Sequence, residues 1–368
     1  MNETPTYWDY LALDRLLGLQ GGLEQDERGM LVDELHFIVV HQSYELWFKL
    51  VLRTLRIGRD ALGAPFVAEE TIPTVVHHLR RVNAILKLAV HQFEVMETMT
   101  PQGFLDFRDK LVPASGFQSF QLRELEIVLG LEEADRIHYG KVDPLRHIDE
   151  AARDTPAGNL ARARIAAARS ERTMLTSLDD WLFRTPIHGS SPEDAGDDDV
   201  VAKFIQDYLA RMDQNQAAGL RRLVETLEVQ DSTALVTRFD ELGRQARTFL
   251  WATDVPEADQ VRRRRIRAGA LFIESYRELP LLSWPRLLLD TVVELEEQLV
   301  LFRSRHARMV ERMIGRRVGT GGSGGVDYLD RTTGYRVFRD LWAIRTVLLP
   351  KALVPQLGNA EFYGFSRH

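Results

Sequence analysis

Residues 29–57 read GMLVDELHFIVVHQSYELWFKLVLRTLRI. Within this stretch Phe37, His41, Tyr44, Phe48, Val51 and Leu55 follow one another at steps of four, three, four, three and four. That spacing returns each residue to the same face of a helix. Leu35, Ile38, Val39, Leu46 and Leu50 make much of the remaining circumference apolar. A helix apolar nearly all round is expected to lie buried among others. The stretch contains neither Pro nor an internal Gly, and it has no period of two. It therefore sets an all-α expectation for the fold: a helical bundle rather than a sheet.

The same period recurs along the chain. Residues 72–99 predict a second long helix, with Pro73 tolerated in its first turn. Residues 101–110 predict a short helix. Ser115 with Gln118 reads as a capping box that opens a helix over 116–130, closed by Gly130. Residues 185–200 (TPIHGSSPEDAGDDDV) read as an exposed acidic loop. Residues 201–227 and 231–252 are amphipathic. In 285–315, Leu288, Val292, Leu295, Leu299, Phe302, His306, Met309 and Met313 alternate by four and three. A Gly-rich stretch, 319–325, follows, and a last helix is expected over 334–349. No internal repeat and no βαβ rhythm is visible.

Composition narrows the function classes. The chain has 368 residues, 45% of them hydrophobic, which excludes extensive disorder. Lys and Arg number 47 against 54 Asp and Glu, a net charge of −7, unlike a nucleic-acid coat. The absence of Cys excludes disulfides, thiolate catalysis and Cys-based metal centres. Met1 to Asp14 lacks a basic region followed by an apolar one, and no uncharged run approaches the ~20 residues of a membrane span. A soluble cytoplasmic protein is expected. Length alone allows about two domains at ~150 residues each. The continuous helical pattern favours a single domain over 1–368.

Several residues carry candidate chemistry. His41 and His306 each interrupt an apolar stripe on a long helix. Each reads either as a core histidine with one hydrogen bond or as a polar group aimed into an apolar pocket. An imidazole fixed on a rigid helix suits axial ligation of a haem iron, and Arg303, Arg305 and Arg308 near His306 are candidates for its propionates. Gly319–Gly325 (GTGGSGG) lacks the GK[ST] ending of a phosphate loop. It is either a linker or a loop whose Thr320 and Ser323 line a ligand. Arg108, in an otherwise apolar turn, is placed either to clamp a carboxylate or to pair with Asp106 or Asp109. Arg262–Arg267 (RRRRIR) reads as a solvated or subunit-contact face, because acidic residues precede it. No HExxH, no Glu-x-x-His pair and no nucleophile signature is present.

Taken together, five blocks resemble the tryptophan 2,3-dioxygenase family. They are Asp33–Lys49 (DELHFIVVHQSYELWFK), Phe107–Arg123 (FRDKLVPASGFQSFQLR), Arg305-His306 through Gly319-Thr320-Gly-Gly-Ser, Tyr7–Leu13 (YWDYLAL) and Tyr335–Leu341 (YRVFRDL). The resemblance spans about residues 6–355 and is thin between 150 and 285. It implies an all-helical, homotetrameric enzyme with haem b. Such an enzyme opens the C2–C3 bond of L-tryptophan with O2 to give N-formylkynurenine, the first step of tryptophan catabolism. By position, the resemblance makes His306 the proximal iron ligand and places His41 by the indole nitrogen. It packs Phe37 on the indole and gives the carboxylate to Arg108. The ammonium goes to Thr320, whose loop closes over the site, and Ser115 sits at the haem edge. Tyr7, Tyr10 and Leu11, within an N-terminal arm over 1–20, reach into a neighbouring subunit's pocket. Both oxygen atoms end in the product and no external reductant is consumed per turnover.

Two positions depart from the pattern of some members. Phe104 stands where some carry Tyr, and Phe93 where many carry Trp. Either change leaves room for a modified tryptophan or another indole, the main alternative substrate class. A haem-binding sensor without turnover and a haem-free helical scaffold are further alternatives; the first predicts a haem spectrum without oxygen uptake, the second a colourless protein.

Overall fold

In the computed structural model the described residues are 4–137, 145, 148, 149, 152, 154–227, 231–321 and 324–364. Among them the protein is all-α, apart from an isolated bridge between Ile187 and Ser190. Its helices are α1 (Tyr7–Leu11), α2 (Leu13–Leu16), α3 (Val32–Leu62), α4 (Thr71–Met96), α5 (Pro101–Arg108), α6 (Phe120–Leu129), α7 (Pro156–Ser170), α8 (Met174–Phe183), α9 (Asp197–Thr226), α10 (Thr233–Leu250), α11 (Glu257–Ser275), α12 (Ser283–Ile314), α13 (Val326–Thr332) and α14 (Arg339–Val347). None of these helices is long and apolar enough to cross a membrane. The chain forms two compact units. One comprises Met1–Thr54, Arg81–Glu171 and Glu297–Tyr335; the other comprises Leu55–Arg80, Arg172–Glu296 and Arg336–His368.

The first unit is organised by the stripes seen in the sequence. Tyr44 and Phe48 of α3, Phe93 and Met96 of α4, and Phe302, Met309 and Met313 of α12 share one core cluster. Burying each such side chain contributes about 1.5–3 kcal/mol. The Tyr44 hydroxyl, drawn into this core, donates to the Ala89 carbonyl at 3.0 Å, so its polar end is satisfied. The opposite face of α3 departs from expectation. Val39, Leu46 and Leu50 are 46%, 52% and 39% exposed, so this helix is not buried all round within the chain.

The helix after residue 115 also differs. Gly116–Gln118 form one 3-10 turn, and α6 starts at Phe120 with Ser119, not Ser115, as its cap. Half of the expected box survives: the Ser115 N–H donates to Gln118 Oε1 at 3.4 Å. The Ser119 hydroxyl is better placed because it accepts from the Leu122 N–H and donates to Glu45 at 2.6 Å. Gly130 ends α6 as expected, at φ 115°, a conformation that favours glycine.

In the second unit the acidic loop and the basic run need correction together. The segment 185–200 is not wholly an exposed loop, because α9 already starts at Asp197. Ile187 is fully buried and Asp197 nearly so. Nor is Arg262–Arg267 a solvated face throughout, since Arg265 and Arg267 on α11 are 2% and 4% exposed. Arg265 pairs with Asp197 at 3.0 Å, and Arg267 pairs with Asp254 at 2.6 Å and Asp340 at 3.0 Å. Each buried charge is tolerated because it meets an opposite one. Asp198 and Asp199 stay exposed in the first turn of α9, where the helix dipole favours them.

Candidate active site

A cavity of about 210 Å³ lies in the first unit. Six of the residues to which the resemblance gives roles line it: Phe37 and His41 from α3, Arg108 from the end of α5, Ser115, His306 from α12, and Thr320. They come from segments as far apart in sequence as residues 37 and 320: the helix stripes deliver Phe37, His41 and His306, while Arg108 comes from a helix end and Ser115 and Thr320 from connecting segments. Met96, Met309, Met313, Phe302 and Ile314 supply apolar wall.

His41 has a defined tautomer. Its Nδ1 lies 2.8 Å from the Phe37 carbonyl oxygen, which can only accept, so Nδ1 carries the proton. Nε2 is then the acceptor. The ring is exposed to the cavity, yet burial by the surrounding wall lowers its pKa below the ordinary 6.5, outweighing the Phe37 carbonyl and Glu45. At neutral pH His41 is therefore an uncharged hydrogen-bond acceptor. Phe37 lies against it with ring centroids 3.9 Å apart and continues to Phe104 at 6.0 Å and Phe107 at 5.6 Å. The rings meet at tilted and edge-on angles, and of the three Phe37 and Phe104 line the cavity beside the His41 acceptor.

His306 differs in kind. Its ring lies nearly parallel to Phe93 at 5.6 Å and against Phe302 at 6.2 Å. Among the described residues it has no hydrogen-bond partner. Burial, with smaller contributions from His41 and Arg123, pushes its pKa down to about 4. The ring is thus neutral at pH 7, with a lone pair that no protein group uses. No three His, Asp or Glu side chains among the described residues converge to hold a metal ion. One free imidazole facing an apolar cavity suits an iron whose remaining ligands come from a macrocycle.

The arginines flanking His306 are otherwise engaged. Arg305 pairs with Glu97 at 2.8 Å, Arg308 with Glu311 and Asp330, and Arg303 with Glu126 at 2.8 Å. Only Arg303 of the three lines the cavity. The expectation that they await propionates is met by none of them as free donors. The group around Glu126 is not among the candidates drawn from the sequence: Arg123 and Glu126 are spaced i,i+3 on α6, a readable signal, but Arg303 joins them from 177 residues away.

Another part of the lining is polar. Arg108 pairs with neither Asp106 nor Asp109; its Nη2 donates to the Val318 carbonyl at 2.6 Å, and its Nε is buried without a hydrogen bond. The Thr320 hydroxyl donates to the Ala114 carbonyl at 2.5 Å. These two bonds fasten the start of the Gly-rich loop to the 108–115 segment. Gly321 permits the contact, since a Cβ there would fall 2.4 Å from Ser115 Cβ. Ser323 lies outside the described residues. Tyr7, Tyr10 and Leu11 do not line the cavity; they sit on α1, 71%, 82% and 42% exposed.

The family model described as tryptophan 2,3-dioxygenase matches residues 1–348. The tryptophan 2,3-dioxygenase of Sorangium cellulosum is 45% identical over 366 residues, covering 98% of this chain and 87% of that protein. Tryptophan 2,3-dioxygenase 2 of Ralstonia nicotianae is 46% identical over 374 residues, covering 98% of both chains. Tryptophan 2,3-dioxygenase B of Danio rerio is 36% identical over 371 residues, covering 98% and 85%.

Proposed function

Because the chain belongs to the tryptophan 2,3-dioxygenase family, we propose that it opens the C2–C3 bond of L-tryptophan's indole with O2, giving N-formylkynurenine. The observation that carries this reading is the pair of neutral imidazoles in one cavity that Arg108 and Thr320 also line. A haem b held by His306 would supply the ferrous iron that activates O2. Every other role falls to the chain's own side chains.

His41 Nε2 accepts the indole N–H while Nδ1 stays fixed to Phe37. Its lowered pKa makes it a poor resting place for a proton, so it orients the indole rather than deprotonating it. Phe37 packs on the indole face. Arg108 offers the substrate carboxylate the N–H groups left over from Val318. Thr320 Oγ1 donates to Ala114 and keeps lone pairs for the substrate ammonium. Ser115 lines the cavity beside the loop and would help to hold the haem. With both amino-acid ends held, the indole is confined to the apolar part of the cavity, and the closed loop excludes water.

The exposed aromatic arm and the exposed Val39, Leu46 and Leu50 on α3 are the surfaces that a homotetramer would cover. Tyr7, Tyr10 and Leu11 then complete a neighbour's pocket. Deleting residues 1–14 is expected to lower turnover at least tenfold while the helical circular dichroism persists. Full activity in the truncated protein would refute the exchanged arm.

The deciding experiment mixes reduced, haem-loaded protein with L-tryptophan under labelled O2 and weighs the product. Two labelled atoms in N-formylkynurenine support the reading. One labelled atom, or reaction only with another indole, points to a modified substrate. Bound haem without turnover of any indole leaves a sensor.

A further inference from the structure

Behind the His306 side of the cavity lies a charge cluster that no step above uses. Glu126 on α6 accepts from Arg136 at 2.7 Å and from Arg303 at 2.8 Å, and Arg123 Nη1 lies 3.1 Å from it. None of these four side chains is more than 11% exposed. Burial alone would push the Glu126 carboxyl up; the three arginines overcome this and hold it below its ordinary value, so it is ionised. Neighbouring Glu124 is matched by Arg164 at 2.7 Å. The Tyr328 phenol is raised by burial and stays neutral. Among the described residues, three guanidinium groups meet this one carboxylate, a local surplus of two positive charges.

Burying an excess of charge does not stabilise a fold. Its effect is on whatever charge changes nearby, and the interior screens it weakly. Arg123, Glu126 and Arg303 line the same cavity as His306, and Arg303 lies one helical turn before it on α12. We infer that the Arg123–Glu126–Arg136–Arg303 cluster raises the reduction potential of an iron ligated by His306 and so favours its ferrous state. One electron converts ferric to ferrous iron and removes one unit of positive charge from the site. The cationic surplus opposes the ferric form and leaves the ferrous form less repelled. We assign these charges a positioning role, acting on the iron through its electrostatic environment rather than by ligation. The inference rests on the haem reading above.

The test is a spectroelectrochemical titration, under argon, of the full-length haem-loaded protein. In Arg123→Met the carboxylate keeps Arg136 and Arg303, while the surplus falls by one. The ferrous-to-ferric ratio at a fixed potential is expected to drop about tenfold, about 59 mV for a one-electron couple. Arg123→Lys, which keeps the charge and changes the geometry, should titrate like the parent. Glu126→Gln, if it folds, should shift the couple the other way. An unchanged potential in Arg123→Met, or an equal shift in Arg123→Lys, overturns the inference alone. A parent chain with no histidine-ligated haem spectrum overturns the haem reading and the inference together.

Discussion

His306→Ala is expected to lose histidine ligation of haem, with occupancy falling at least tenfold at a fixed haem concentration. His306 is neutral at pH 7, with its pKa pushed to about 4, and it has no hydrogen-bond partner among the described residues. Its lone pair is therefore available without first breaking a protein contact. His41 is the other imidazole lining the cavity, and its Nδ1 is committed to Phe37. Loss of packing against Phe93 and Phe302 is a separate effect of the same truncation. His306→Gly with added imidazole separates the two. Restoration of the histidine-type spectrum by free imidazole identifies ligation as the lost function. An unchanged spectrum in His306→Ala would remove His306 as the ligand.

Arg108→Ala carries the second large expectation. Truncating one partner of a buried charge pair costs about 2–5 kcal/mol. L-tryptophan affinity should fall about 30-fold to several thousandfold. The same change releases the Val318 carbonyl and slackens the loop. Tryptamine, which lacks the carboxylate, distinguishes the two effects. It should bind parent and variant alike if Arg108 acts on the carboxylate. An equal loss for tryptamine would assign Arg108 to holding the loop. Unaltered L-tryptophan affinity would take Arg108 out of the site.

Both expectations rest on residues visible before any tertiary structure. His41 and His306 stand out because an α-helix is a local object: hydrogen bonds four residues apart fix which side chains share a face. The steps of four and three in α3 and α12 therefore place each imidazole on its apolar stripe. Arg108 was legible as a polar residue in an apolar turn; the structure replaces the pairing with Asp106 or Asp109 by a bond to Val318, 210 residues away. The order of five sequence blocks indicated the family, since several long patterns in one order rarely arise by chance.

What the sequence could not decide is where each charged and polar group finds its partner. Ser115 and Ser119 are both plausible caps; Glu45, on another helix, favours Ser119. Asp197 looks like loop and Arg265 like surface until each is seen buried against the other. The Glu126 cluster draws on residues 123, 126, 136 and 303; the i,i+3 spacing of Arg123 and Glu126 is legible, while the approach of Arg136 and Arg303 is not. Val39, Leu46 and Leu50 carry a core composition and remain exposed on this chain. Periodicity is fixed by backbone geometry within a few residues and can be read from the string. Desolvation and charge pairing depend on what packs opposite, and only the folded chain determines that.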